Sequence, residues 1–216
     1  MINNHFRSFI FDFDGVILDS NKIKIDGFIY IGKKYFELDS LQIIEILKSK
    51  KHITRNDVFN HFLFECNVKK GISLDLLNKE FSFFISKKMD LANYSKCIPD
   101  LNNKANDSYW AIISAGNALE IENILNKKRY SQYFMGNVYG NSFNKYDHIS
   151  RLISSADIKY PVISFGDSIS DYEIAKEFNF SFVAITEWSS CNEILENIPD
   201  DITHKYKTLD KFIVAF

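Results

Sequence analysis

The stretch Phe9-Ile10-Phe11-Asp12-Phe13-Asp14-Gly15-Val16 sets the reading of this 216-residue chain. An apolar run of this length, closed by a glycine, reads as a buried parallel strand, and open α/β sheets bind ligands at the carboxyl ends of such strands. Asp12 and Asp14 share that end. Two carboxylates so close repel each other unless a cation or a shared proton compensates. The pair therefore suggests a divalent metal, a nucleophile with its acid/base, or both. A lone Asp-Gly is commonly just a turn former, but the rest of the chain argues otherwise.

A second carboxylate pair follows in Pro161-Val162-Ile163-Ser164-Phe165-Gly166-Asp167-Ser168-Ile169-Ser170-Asp171, again an apolar strand running into Gly-Asp. Asp167 falls at the strand end. Asp171 lies four residues on, where a helix is beginning, so one helical turn aims both at a common point. Four aspartates from two strand ends make a hard, oxygen-only site suited to Mg²⁺, which keeps several waters and takes few carboxylates. Between the pairs, Trp110-Ala111-Ile112-Ile113-Ser114-Ala115-Gly116-Asn117 reads as a third strand, followed by a helical pattern from Leu119 to Leu125. Exposed amides and the helix dipole at that turn make a phosphate cradle, to which the backbone at Ala115 and the Ser114 hydroxyl contribute. Taken alone, Ser114 is a cap or turn residue. Lys145 precedes an amphipathic pattern that includes Ile149, Leu152 and Ile153; alone, it is one surface lysine among many.

Together and in this order, Asp12-Phe13-Asp14-Gly15-Val16, Ser114, Lys145 and Gly166-Asp167-Ser168-Ile169-Ser170-Asp171 resemble the haloacid dehalogenase superfamily across nearly the whole chain. The resemblance implies a phosphotransferase mechanism. Asp12 is then the nucleophile that forms an aspartyl-phosphate, and Asp14 the acid/base. Ser114 and Lys145 hold phosphoryl oxygens. Mg²⁺ sits on the Asp12 carboxylate, the Asp14 backbone carbonyl and Asp167, while Asp171 holds metal waters or orients Lys145. An aspartate at position 14 also resembles the phosphate ester hydrolases and phosphomutases rather than the dehalogenases and phosphonate-cleaving relatives.

Composition agrees with an ordinary globular protein. A hydrophobic content of 46% and a net charge of -2 allow a sizeable core. Acidic and basic residues are interspersed, with no polybasic stripe for nucleic acid. No apolar run reaches transmembrane length, and residues 1 to 8 lead straight into the first strand, so a cytoplasmic protein without a signal peptide or membrane association is expected. Cys66, Cys97 and Cys191 lack metal spacing and read as reduced thiols.

The segment from about Asp19 to Lys96 has no proline and no convincing strand. Ile23/Phe28/Ile31, Leu41/Ile44/Leu47, Val58/Phe62/Phe64 and Leu74/Leu77/Phe81/Phe84/Ile85 recur at helical spacing. The expectation is an α/β protein: a Rossmann-like core of five parallel strands (residues 1–18 and 97–216) with an all-helical cap inserted at 19–96. Such a cap resembles those of the phosphoglycolate phosphatase and β-phosphoglucomutase branch, which close over small substrates. Within it, Arg55 and His52 are the candidate substrate contacts, although Thr54 with Asp57 also forms an approximate capping box. His148 and His204 match no motif and read as surface or satisfied core residues. The function expected is a Mg²⁺-dependent phosphatase of a small phosphorylated metabolite, a sugar, polyol or amino-alcohol phosphate or phosphoglycolate. A sugar phosphomutase shares every core motif. A non-catalytic binding module should have lost one of these residues, and a protein phosphatase is disfavoured by the cap. Oligomeric state is not written in the sequence.

Overall fold

The computed structural model describes residues 5–49, 54–66, 71–140, 143–190 and 203–216. The chain divides into two compact units, one formed by Met1–Asp19 with Asn93–Phe216 and the other by Ser20–Ala92.

The first unit is built on six parallel strands: β1 (Ser8–Phe11), β2 (Tyr109–Ile113), β3 (Val138–Tyr139), β4 (Val162–Gly166), β5 (Ser181–Ile185) and β6 (Thr203–Tyr206). They lie in the order β3-β2-β1-β4-β5-β6. β1 pairs with β2 on one side and β4 on the other, in register from Ser8 opposite Tyr109 and Val162. Strand order therefore reverses at β1, and the carboxyl ends of β2, β1 and β4 open side by side, where doubly wound sheets place their ligands.

Alternation along β1 explains how the sheet is covered on both faces. Phe9 and Phe11, fully buried, stack on Trp110 and Phe165, with ring centroids 5.3 Å apart for Phe9–Trp110 and 4.8 Å for Phe11–Phe165. Two residues apart, they share one face. Ile10 points the other way, into a cluster with Ala111, Ile113, Ile149, Leu152, Phe180 and Phe182. The crossovers run through α5 (Ile98–Lys104), α6 (Ala118–Lys127), α7 (Ser131–Phe134), α8 (Lys145–Ser154) and α9 (Ile169–Glu177), and α10 (Leu209–Ala215) closes the chain. Pro99 opens α5, where its missing N–H costs nothing.

The sheet has six strands where five were expected. Thr203-His204-Lys205-Tyr206 was missed because an edge strand pairs on one side only and is polar, with His204 exposed. Phe134–Tyr139 reads in the sequence as a short strand, but only Val138–Tyr139 is extended. Met135 and Gly136 take φ of 48° and 82°, which breaks extended backbone, and Phe134 ends a helical turn with its ring edge-on to Phe11.

The second unit consists of α1 (Asn21–Phe36), α2 (Ser40–Ser49), α3 (Arg55–Glu65) and α4 (Leu74–Leu91). Its core holds Ile31, Phe36, Ile43, Val58, Phe59, Phe62, Leu77, Phe81, Ile85 and Met89. In α2 the buried position is Ile43, one residue off the expected stripe, with Leu41 exposed; Phe64 is exposed too. α1 approaches its neighbours closely through two glycines. A Cβ on Gly27 would lie 2.7 Å from the Phe81 ring, and one on Gly32 would lie 2.5 Å from Ile43. The capping box of α3 forms: Asp57 N–H donates to Thr54 Oγ1 at 3.3 Å and Thr54 N–H to Asp57 Oδ2 at 2.8 Å.

Because Phe9 anchors the ring stack at the sheet centre, Phe9→Ala should cost the sheet unit about 3–5 kcal/mol. A urea transition whose midpoint does not move would contradict this packing role.

Candidate active site

Local backbone explains how the first carboxylate pair is presented. Asp12 N–H still donates to the Phe165 carbonyl at 2.9 Å, extending the sheet by one bond beyond β1. The chain then turns: Ile17 and Leu18 N–H both donate to the Phe13 carbonyl, and Gly15 takes a φ of 77° that strains any side chain-bearing residue. Asp12 is thereby fixed at the strand end while Asp14 sits in the turn, and both are buried.

The Asp12 carboxylate is held at both oxygens. Oδ1 accepts from Phe13 N–H at 2.7 Å, and Oδ2 pairs with Lys145 Nζ at 2.9 Å. Lys145, the first residue of α8, also donates to Asp171 Oδ1 at 2.7 Å. It is therefore a bridge between two aspartates rather than a surface lysine. Asp171 in turn uses Oδ2 to accept from the Ser168 hydroxyl at 2.6 Å, and Ser168 caps α9 by accepting from Asp171 N–H. Gly166 makes room for this arrangement: a Cβ there would lie 2.3 Å from Asp171 Cβ.

Ser114, at the end of β2, is almost wholly buried. Its hydroxyl accepts from Gly116 N–H at 3.0 Å and faces Asp14 Oδ2 at 3.4 Å. The cap of α6 is Asn117, whose side chain accepts from Glu120 N–H, so Ser114 has no capping duty. Ala115 is exposed on the turn between them. Asp167 is buried after β4, and its carbonyl accepts from the Ser189 hydroxyl at 2.5 Å. Ser168 and Ser189 are given no role by the sequence reading: the three-residue spacing from Ser168 to Asp171 is a capping signal, whereas Ser189, in Trp188-Ser189-Ser190, carries none.

Charge is the outstanding problem of this cluster. Burial pushes the Asp12 carboxyl up, Lys145 pulls it back, and Asp171 and Asp14 push it up again, leaving it at about 7. Burial works against the Lys145 ammonium, but Asp12 and Asp171 outweigh it and hold its pKa above the ordinary lysine value. Lys145 offsets one charge, shared between Asp12 and Asp171. One carboxylate oxygen from each of Asp12, Asp167 and Asp171 lies within 4.8 Å of the others. Carboxylates converging in this way are the donor type that a hard cation takes. Asp171 accepts from Lys145 at one oxygen and from Ser168 at the other, which suits it to orienting Lys145.

Arg55 is in the helical unit, where Nη1 donates to Ser82 Oγ at 3.0 Å and the guanidinium stacks 4.5 Å from the Phe81 ring centroid. His52 lies outside the described residues, as does Cys191. Cys97 is buried and its thiol is pushed up to about 12, mainly by desolvation; burial also raises Cys66. Neither is a thiolate nucleophile. No helix among the described residues is long and apolar enough to cross a membrane.

The profile of the haloacid dehalogenase-like hydrolases matches residues 9–185. The chain belongs to this family. Curated protein sequences give no match. Among solved structures, a haloacid dehalogenase-like hydrolase from Streptococcus pneumoniae superposes with a TM-score of 0.66 at 19% identity, over 98% of this chain and 99% of that one. A predicted phosphoglycolate phosphatase from Haemophilus somnus gives 0.74 at 13%, over 100% and 99%. CbbY from Rhodobacter sphaeroides, crystallised with phosphate, gives 0.73 at 11%, over 96% of each chain. At these identities the likeness is one of fold.

The raised Asp12 pKa fixes a pH dependence. The native state keeps a proton on Asp12 that the unfolded chain loses near its ordinary value of 3.8. Asp12 therefore favours folding most below about pH 4, and that contribution is lost as pH rises toward 7. In EDTA, urea stability should fall more steeply across this window in the wild type than in Asp12→Asn. Parallel pH profiles would show that the Asp12 charge is not penalised by burial.

Proposed function

We propose that this hydrolase is a Mg²⁺-dependent phosphatase that removes the phosphoryl group from a small phosphate monoester through an aspartyl-phosphate. The observation that carries the reading is the convergence of Asp12, Asp14, Ser114, Lys145 and Asp167 from three adjacent strand ends and the start of α8. The phosphatase and phosphate-bound structures of the same fold support it. A variant of CbbY crystallised with xylulose-(1,5)-bisphosphate lends weight to a phosphorylated sugar or polyol as the substrate class.

In the first half-reaction an Asp12 carboxylate oxygen forms a bond to phosphorus as the ester P–O bond breaks. Asp14 gives its proton to the departing alkoxide, and the alcohol leaves. In the second, Asp14 takes a proton from water, whose oxygen bonds to phosphorus while the Asp12 acyl-phosphate bond breaks and inorganic phosphate departs. Ser114 and Lys145 donate to the phosphoryl oxygens through both steps. The Phe13 N–H bond to Oδ1 and the Lys145 contact to Oδ2 hold the nucleophile in one rotamer, so attack needs little reorientation. Asp171 and Ser168 keep the lysine in place. Mg²⁺, held by Asp12, Asp167 and the Asp14 carbonyl, would offset phosphate charge and let an anionic nucleophile meet an anionic substrate. In this reading the Ser20–Ala92 unit is the cap that selects substrate, with Arg55 and His52 as its contacts, and the protein works in the cytoplasm.

Phosphate release from a panel of sugar, polyol and amino-alcohol phosphates, phosphoglycolate and an aryl phosphate is the test. Release should require Mg²⁺, stop in EDTA, vanish in Asp12→Asn and fall about 10²–10⁴-fold in Asp14→Asn. Isomerised sugar phosphate without free phosphate would instead identify a mutase. Normal turnover in Asp12→Asn would overturn the covalent route.

A further inference from the structure

His148 matches no motif, yet it is buried, at 7% exposure. It lies on α8 three residues after Lys145, so the two are neighbours one turn apart. Its Nε2 sits 2.9 Å from the Gly140 carbonyl oxygen. A carbonyl can only accept, so Nε2 carries the hydrogen. Tyr139 and Phe143 flank the ring, each with its centroid 5.5 Å away, and Arg151 stacks on Phe143.

Gly140 is in turn coupled to the Ser114 turn. The carbonyl of the preceding residue, Tyr139, accepts from Ser114 N–H at 2.9 Å. A Cβ on Gly140 would lie 2.5 Å from the Gly116 carbonyl oxygen and 2.6 Å from Ala118 N, so the two turns touch backbone to backbone. Gly116 N–H is the donor to the Ser114 hydroxyl. Two successive carbonyls thus serve opposite partners: Tyr139 holds the Ser114 turn, and Gly140 holds the helix that begins at Lys145.

We propose that His148 is a positioning residue that sets the spacing between Ser114 and Lys145 by tying α8 to the Gly140 carbonyl. Its consequence for catalysis rests on the phosphatase reading above. Both residues bind the same phosphoryl group in that reading, so a displacement of one relative to the other weakens phosphate binding and misaligns attack, and errors near 1 Å cost up to about a hundredfold. The bond needs one N–H at the Nε2 position, and that requirement separates positioning from simple filling of a buried space.

The test compares His148→Gln, His148→Asn and His148→Phe in the ¹⁵N-labelled full chain. A glutamine amide nitrogen takes the Nε2 position, whereas an asparagine nitrogen falls short of it and phenylalanine fills the space without a donor. Backbone hydrogen exchange at Ser114 and Gly116 is read first, and the affinity for inorganic phosphate is read by calorimetry. His148→Phe and His148→Asn should speed exchange at both amides and weaken phosphate binding about tenfold, with a matching loss in kcat/KM on an aryl phosphate. His148→Gln should restore all three close to wild type. Should His148→Phe fail to fold, the Gln and Asn pair decides. Unchanged Ser114 and Gly116 protection and unchanged phosphate affinity in His148→Asn would overturn the proposal. If the wild type hydrolyses no ester at all, the phosphatase reading falls, and the exchange data alone decide whether His148 holds the two turns together.

Discussion

The Lys145 ammonium between Asp12 and Asp171 is the contact on which the arrangement depends. A buried cation is tolerable only with partners in good geometry, and a buried carboxylate likewise. Each neighbouring feature serves that requirement. Gly166 leaves space for Asp171 to come close, Ser168 takes the second Asp171 oxygen, and Asn144 starts α8 by accepting from Asp147 N–H, so that Lys145 is the first residue of the helix. Lys145 offsets part of the acidic charge gathered there; a divalent cation would offset more, whereas a phosphate arriving alone would add to it.

Stability and chemistry are assigned to different residues along the same strands. Below the strand ends, Phe9, Phe11, Trp110 and Phe165 on one face and Ile10, Ile113 and Phe182 on the other are committed to packing. Immediately after those runs come Asp12, Ser114 and Asp167, where the strands end and side chains are no longer needed to fill a core. A parallel sheet whose order reverses at β1 brings three such ends together.

This division explains what the sequence disclosed. Apolar runs that end in Gly-Asp, or in Ser before a helix, state both the strand and the site, so the fold class and the central residues were legible. β6 was hidden because an edge strand needs little hydrophobicity, and β3 was overextended because left-handed backbone at Met135 leaves no mark in composition. Within α2 the periodicity was visible but its phase was not: adjacent Ile43 and Ile44 offer the same chemistry, and only the close approach at Gly32 selects Ile43. His148 could not have been found at all, since its partner is a backbone carbonyl, which every residue possesses. Lys145 was placed by its resemblance to a family pattern; its two-sided pairing belongs to three dimensions.

Where the chain leaves the sheet unit at Asp19 and returns at Asn93, the two points are bonded to each other. Asp19 N–H donates to the Asn93 carbonyl at 2.9 Å, and the Asn93 amide reaches the Asp19 carboxylate at 3.4 Å. Leu18 bridges to Tyr94, and Ser95 donates to the carbonyls of Ile17 and Val16. To the sheet unit, the intervening four-helix segment is topologically a loop with its ends already closed. Loop-closure entropy grows only slowly with length, so such a stem tolerates segments of very different size and sequence. The sheet unit and the helical segment can therefore vary separately, one constrained by the charge balance at its strand ends and the other by little more than the need to leave and re-enter through the same doorway.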